Sequence, residues 1–313
     1  MKSEKKPLVV ILGPTAVGKS SLALALAERW KTEIVSVDAM QIYKYMDIGT
    51  AKPSASERSL VPHHMIDIVY PDEDYNAGRY EWEACQAIHQ IHCAEKIPLL
   101  VGGCGLYLKA VLYGFFQGPK VDLNLRNQLK DEMKKGEDYL YEKLKQIDPQ
   151  SAQKLHPNDH PRVIRALEIY LQTGVPISVY QKNHSFKKTR YQARVIGLTR
   201  NRKDLYSRIE KRIDKMIEMG LIEEVEKLLE LDYSENSTAL QGLGYKQIIA
   251  ALKGKYSMNE AIQILKRDTR HYAKRQFTWF RKVENVHWVD LTEQSSLEDV
   301  LDQIQNLIMD LFA

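Results

Sequence analysis

The sequence predicts an α/β fold with a mostly parallel sheet, and three observations carry that expectation. Leu8-Val9-Val10-Ile11-Leu12 and Pro98-Leu99-Leu100-Val101 are short continuous apolar runs, stopped by Gly13-Pro14 and Gly102-Gly103, as expected of strands covered on both faces. Helix-forming segments alternate with these runs. Between the first run and the first helix stands a glycine-bearing segment, Gly13 to Ser20, of the kind that joins a buried strand to a helix N-terminus.

In chain order, the first strand is followed by Leu22-Ala23-Leu24-Ala25-Leu26-Ala27, a run of strong helix formers. Glu33 to Val37 reads as a second strand with Asp38 at its C-terminal end. Residues Ala77 to Glu95 read as a helix, and Pro98 to Val101 as the third strand. From about Gly118 the character changes. Helical stretches at Leu123 to Lys135, Tyr139 to Gln146 and Pro161 to Gln172 succeed one another with no clear strand, and Thr173-Gly174-Val175-Pro176 supplies a stop. Strand character returns at Arg194 to Leu198. The expected division is an α/β core at 1–117 and 194–313, with C-terminal helices, carrying a helical insertion at 118–193. In the next helix Ile209, Ile213 and Met216 share a face, with Arg208 and Arg212 one turn apart beside it. A long helix starts at Ser257, where Ser257 and Glu260 have capping-box spacing. Its apolar stripe (Ile262, Leu265, Tyr272, Trp279) leaves Lys274, Arg275 and Arg281 to face elsewhere.

Composition excludes several classes. With 44% hydrophobic and 27% charged residues in 313, disorder is not expected. No apolar run approaches the ~18 residues of a membrane span, and the basic start, Met1 to Lys6, precedes no signal-peptide core. A cytoplasmic protein without membrane contact is expected. Cys85, Cys93 and Cys104 form no Cys-x-x-Cys pair and read as reduced thiols. The net charge of +4 is mild, but twelve basic residues lie between Lys182 and Lys215, Lys187 among them, against three acidic ones. A second cluster holds Lys266, Arg267, Arg270, Lys274, Arg275, Arg281 and Lys282. Such clustering fits a polyanionic partner and fits solvated helix faces equally well.

The most specific signal is Gly13-Pro14-Thr15-Ala16-Val17-Gly18-Lys19-Ser20, a full match to G-x-x-x-x-G-K-[ST] in its strand-to-helix context. It makes the core P-loop NTPase-like: backbone N–H groups curl round phosphate oxygens and the helix N-terminus adds its dipole. Lys19 supplies a point charge, and the Ser20 hydroxyl suits Mg²⁺. The motif does not name the reaction, since kinases and other phosphate-handling enzymes share it. The apolar strand Pro98 to Val101 ends in Gly102-Gly103-Cys104-Gly105 and not in the carboxylate that a nucleotide hydrolase places there, and no guanine-reading Asn-Lys-x-Asp occurs. Asp38, at the sheet edge where ligands bind, suits a general base or a water-mediated Mg²⁺ ligand; a structural cap of the next turn would look the same. The glycines around Cys104 suit close backbone approach to a ligand, and equally a tight connection. Nothing marks Cys104 itself as a nucleophile.

Several segments together resemble the tRNA dimethylallyltransferase (tRNA isopentenyltransferase) family, and they run in order over nearly the whole chain. They are Gly13 to Ser20, Ser36-Val37-Asp38-Ala39-Met40-Gln41-Ile42-Tyr43, Met46 to Pro53, Pro62-His63-His64-Met65-Ile66-Asp67 and Leu100-Val101-Gly102-Gly103. His156-Pro157-Asn158-Asp159, Arg162 to Glu168, Gly244-Tyr245-Lys246 and Lys274 to Arg281 follow. The resemblance implies that Gly13, Pro14, Thr15, Ala16, Val17, Gly18, Lys19 and Ser20, with Arg212, hold the diphosphate of dimethylallyl diphosphate, with Mg²⁺ on Ser20. It implies catalytic roles for Asp38, Arg212 and Cys104, with Asp38 as base or acceptor at N6 of the adenosine 3′ of the anticodon. It implies contacts to the tRNA anticodon stem-loop from Asp38, Ala39, Met40, Gln41, Cys104, Arg162, Arg165, Gln241, Tyr245, Lys246, Lys274, Arg275, Gln276 and Arg281. The enzyme is expected to be a monomer. One departure stands out: the family commonly has Thr where this chain has Cys104, and a thiol is the weaker donor. A prenyltransferase of free adenine nucleotides, a P-loop nucleotide kinase and an RNA-binding module with a relic P-loop are the rival readings.

Overall fold

The computed structural model describes residues 5–116, 118–136, 138–186, 188–292 and 296–311, so Lys187 and the first four residues of the basic start lie outside it. The chain divides into two compact units, one of residues 1–112 with 190–313 and one of Tyr113–Thr189.

The first unit begins with β1 (Pro7–Leu12), α1 (Lys19–Arg29), β2 (Ile34–Val37), α2 (Ala55–Leu60), β3 (His63–His64), α3 (Ala77–Cys93), β4 (Leu99–Gly102) and α4 (Gly105–Tyr113). The second unit contributes α5 (Leu123–Glu132), α6 (Tyr139–Ile147), α7 (Pro149–Ala152), α8 (His160–Thr173) and α9 (Ile177–His184). The first then resumes with β5 (Gln192–Thr199), α10 (Arg202–Glu218), α11 (Leu221–Glu230), α12 (Tyr245–Leu252), α13 (Met258–Phe280), β6 (Val286–Asp290) and α14 (Leu297–Ile308).

The sheet is six-stranded in the order β3-β2-β4-β1-β5-β6, and every pairing is parallel. This is the α/β architecture the apolar runs require: Leu8 to Leu12 are all at most 1% exposed because helices cover both faces of the sheet. Because the strands are parallel and in register, their C-terminal ends share one edge. Leu12 of β1 and Val37 of β2 both face Gly102 of β4. The loops after these three strands therefore open on one crevice, which is where ligands bind in such sheets.

Two strands escape the apolar-run criterion. β3 is only two residues long, and β6, Val-His-Trp-Val-Asp, is an edge strand in which only Val289 is buried. The helical segment also starts and ends earlier than 118 and 193. Arg190 N–H already bonds Leu112 C=O at 2.8 Å, and Gln192 pairs with Pro7, so both residues belong to the sheet-bearing unit. Within the helical unit, Leu129, Leu140, Leu144, Val163, Ile164 and Leu167 form the core. On α13, the Ser257 hydroxyl accepts from Glu260 N–H at 3.2 Å, the capping half of the expected box.

Candidate active site

The segment Gly13 to Ser20 forms the turn from β1 into α1. Ala16 (φ 64) and Gly18 (φ 115) both adopt left-handed conformations, and only glycine does so without strain. Cations take up carbonyls of this turn. Lys19 Nζ donates to Gly13 O (2.9 Å) and Pro14 O (2.8 Å). Arg208 Nε donates to Ala16 O (3.0 Å), and Arg200 Nε to Val17 O (2.9 Å). The Val17 side chain is fully buried, so that residue anchors the loop in the core. No motif singles out Arg200 or Arg208. Arg208 lies one turn before Arg212 on α10, and that spacing is the available signal.

One cavity brings Thr15, Lys19, Ser20, Asp38, Gly102 and Arg212 together. Arg212 is partly exposed as a residue, but burial of its guanidinium disfavours the charge and the Asp38 carboxylate supports it; it makes no hydrogen bond or ion pair to any described residue. Burial and the Arg212 charge push the Lys19 ammonium down to about 7, against the pull of Asp38. Lys19 and Arg212 thus face the start of α1 across a cavity that Asp38 and Glu57 also line, and two cations beside helix-start amides suit an anion. Asp38 Oδ1 accepts from the N–H groups of Met40 (2.8 Å) and Gln41 (3.3 Å), so the turn-capping role is real. That uses one oxygen. Oδ2 has no hydrogen-bond partner among the described residues and is left for a proton or a donor.

A second cavity of the same unit shares Asp38 and Arg212 with the first and is lined also by Ala39, Met40, Gly244 and Lys246. The segments at 38–41 and 241–246 meet here: a methyl group on Gly242 would fall 2.4 Å from Met40 Cε. Lys246, Gln241, Lys274, Arg275 and Arg281 are exposed, and the four cations among them form no ion pair with a described residue. Gln241 Nε2 donates to Glu235 O at 2.9 Å.

Four residues expected at the RNA face are committed elsewhere by the fold. Tyr245 is fully buried and its hydroxyl donates to Glu224 Oε1 at 2.7 Å. Glu224 also accepts from the N–H groups of Asp47, Ile48 and Gly49, which makes it the anchor of that loop. Gln276, 7% exposed, accepts from Thr15 N–H and donates to Gly103 O. Gln41 accepts from the Ser36 hydroxyl at 2.8 Å and donates to Thr50 O and Ala51 O, both at 3.3 Å, so its amide is not free for a base edge. In the helical unit, Arg165 bonds Glu168 Oε2 (2.7 Å) and Pro119 O (2.9 Å), whereas Arg162 is exposed and pairs with Asp159 at 3.0 Å.

The glycines after β4 answer to the protein's own packing. A Cβ at Gly102 would lie 2.1 Å from Val37 O, and one at Gly103 2.3 Å from Gln276 Nε2. Burial pushes the Cys104 thiol up to about 11, and the Asp38 carboxylate adds to the shift. Cys104 is therefore a neutral thiol at physiological pH and no nucleophile.

Among known proteins, a family model described as IPP transferase matches residues 41–283, and one described as isopentenyl transferase matches residues 6–63. The chain is 48% identical over 300 residues to the tRNA dimethylallyltransferase of Acetivibrio thermocellus, covering 95% of this chain and 96% of that one. It is similar to the solved full-length tRNA isopentenylpyrophosphate transferase of Bacillus halodurans, at 40% identity and a TM-score of 0.73 over 98% of both chains. It is also similar to a eukaryotic dimethylallyltransferase solved acting on tRNA, at 31% identity and a TM-score of 0.85, covering 98% of this chain and 79% of that one. Family match, full-length identity and shared fold agree: this chain belongs to the IPP transferase family, whose matched members are tRNA dimethylallyltransferases.

Proposed function

We propose that this chain transfers a dimethylallyl group from dimethylallyl diphosphate to N6 of the adenosine 3′ of the anticodon in tRNA, releasing pyrophosphate. The observation that carries this reading is the sharing of Asp38 and Arg212 by two cavities, one holding the phosphate grip and the other edged by Lys246 and the 38–41 turn. In the proposed reaction the N6 lone pair attacks the allylic carbon, the carbon–oxygen bond to diphosphate breaks, and the N6 proton passes to Asp38. Negative charge grows on the departing diphosphate, where the loop amides, Lys19 and Arg212 meet it. The names of the relatives support the same donor class and acceptor.

Ser20 is exposed in the first cavity, and no three His, Cys, Asp or Glu side chains among the described residues cluster to hold a metal. That donor set fits Mg²⁺, which keeps several waters and takes most of its remaining ligands from substrate phosphates. When bound, the ion would neutralise diphosphate charge. The target adenosine has to leave its stack to present N6, as for other base-modifying enzymes. Lys246, Lys274, Arg275 and Arg281, exposed and without an ion pair to any described residue, suit the phosphates of the anticodon stem-loop. Every group invoked comes from one chain, so a monomer suffices, and a tRNA substrate suits a cytoplasmic enzyme. No helix among the described residues is long and apolar enough to cross a membrane.

The test is incubation with labelled dimethylallyl diphosphate and Mg²⁺ in the presence of tRNA, of AMP, or of ATP with a small acceptor. Label in tRNA alone is expected. Label in AMP would assign the chain to free-nucleotide prenylation, and ADP release without label would make it a kinase.

A further inference from the structure

Gln276 takes no part in the transfer as described, yet both ends of its side chain are spent on the site. It sits on α13 beside exposed Arg275, is itself only 7% exposed, and lines the cavity that holds Lys19, Asp38 and Arg212. Its Oε1 accepts from the Thr15 N–H at 2.9 Å, and its Nε2 donates to Gly103 O at 2.9 Å. Thr15 belongs to the diphosphate loop after β1, and Gly103 to the turn after β4, next to Cys104. One amide therefore joins three segments that the chain brings together from positions 15, 103 and 276.

We propose that Gln276 is a positioning residue that sets the phosphate loop for diphosphate by clamping Thr15 to the β4 turn, and that it is not an RNA contact. The clamp has something to hold. Ala16 follows Thr15 directly and is kept at φ 64, a conformation that costs an alanine energy and persists only when neighbours enforce it. The Thr15 N–H is consumed by Gln276, so this amide fixes the loop, while the amides at the helix start remain for the anion. Gly103 completes the clamp by being small: any side chain there would push Gln276 Nε2 aside. A loop pre-set in this way binds its anion more tightly because less ordering is left to the ligand.

This inference rests on the diphosphate reading above, and the test separates the two. Calorimetry with Mg²⁺ and inorganic pyrophosphate is run on the wild-type protein, Gln276→Ala, Gly103→Ala and the double variant, alongside steady-state transfer to tRNA. Each single variant is expected to weaken pyrophosphate and raise the donor KM by roughly tenfold, the value of about one buried hydrogen bond. The tRNA KM is expected to stay within about twofold of the wild-type value, because no binding interaction with the RNA is removed. The double variant is expected to be no worse than either single one. Truncating Gln276 leaves room for the methyl group that Gly103→Ala adds, and the clamp can be lost only once. Gln276→Met, which keeps the volume and loses both bonds, must repeat the weakening if Gln276→Ala does not fold. A rise in the tRNA KM with an unchanged pyrophosphate affinity would make Gln276 an RNA contact and overturn the proposal. Lower melting temperature alone, or effects that multiply in the double variant, would reduce it to ordinary packing. Failure of the wild-type protein to bind pyrophosphate would instead remove the diphosphate reading itself.

Discussion

At Cys104 solvation decides the chemistry. The thiol, pushed up to about 11 by burial with Asp38 reinforcing, stays protonated at neutral pH, so it can donate a weak hydrogen bond but cannot attack carbon. Iodoacetamide at neutral pH should therefore label exposed Cys93 first and Cys104 slower than an ordinary thiol by roughly tenfold or more; peptide mass spectrometry reads the order, and equal labelling would contradict it. Arg212 makes the opposite case, a guanidinium that stays charged against burial with no hydrogen bond or ion pair to a described residue. Arg212→Lys keeps the charge and loses the planar fork, so kcat/KM for the donor should fall roughly ten- to a hundredfold with the tRNA KM unchanged; a change confined to tRNA would place Arg212 on the other substrate. The phosphate loop was legible because its chemistry is local: eight consecutive residues carry it. Gln276 was not, because its partner Thr15 lies 261 positions away and an amide in a basic segment looks like an RNA contact.

Helices and strands divide the labour of charge. Within the two basic clusters the fold spends many cations internally: Arg200 and Arg208 on loop carbonyls, Arg270 on Glu210 at 2.5 Å and Lys266 on Asp214 at 2.6 Å. The cations of α13 that follow, Lys274 and Arg275, have no acidic partner among the described residues. Counting charge in the sequence could not separate these two groups, since only tertiary contacts tell a spent cation from an available one. Helix α8 shows the same limit at Arg165, whose partner Glu168 is fully buried. Burial opposes ionisation of Glu168, but hydrogen bonds from Arg165, Arg126 and the Asp122 N–H outweigh it and hold the carboxyl below its usual range. A group whose folded value is depressed adds stability above its unfolded value and loses it as pH falls through the folded one. Glu168→Ala should destabilise the protein by about 1–3 kcal/mol by removing the buried acceptor shared by Arg126, Arg165 and the Asp122 N–H, the partly exposed guanidinium groups being left to water. Glu168→Gln should flatten the acid side of the stability profile. Urea unfolding across pH checks both, and a Glu168→Gln profile identical to wild type would contradict the assignment.

At the scale of the whole molecule, the fold works by bringing loop ends to one edge. The all-parallel order β3-β2-β4-β1-β5-β6 sets the phosphate loop, Asp38 and the Gly102 turn side by side, and α10 and α13 supply Arg212 and Gln276 from much later in the chain. The apolar runs made the sheet-bearing architecture legible, because burial on both faces leaves a signature in composition. β3 and β6 left none, being too short or too exposed. The two-cavity arrangement was beyond the sequence, since it depends on α10 and the 241–246 segment closing over the same carboxylate. The central claim is that this carboxylate, with Oδ1 tied down by Met40 and Gln41, takes the proton from the amine through its other oxygen. Asp38→Asn tests it most directly, because the amide oxygen can keep the turn while the free end turns from acceptor to donor. The measurement is the single-turnover rate of dimethylallyl transfer to tRNA with both substrates saturating. A fall of roughly a hundredfold or more, with donor affinity retained, is the predicted result; a rate within a few-fold of wild type would show that Asp38 serves the turn and not the reaction.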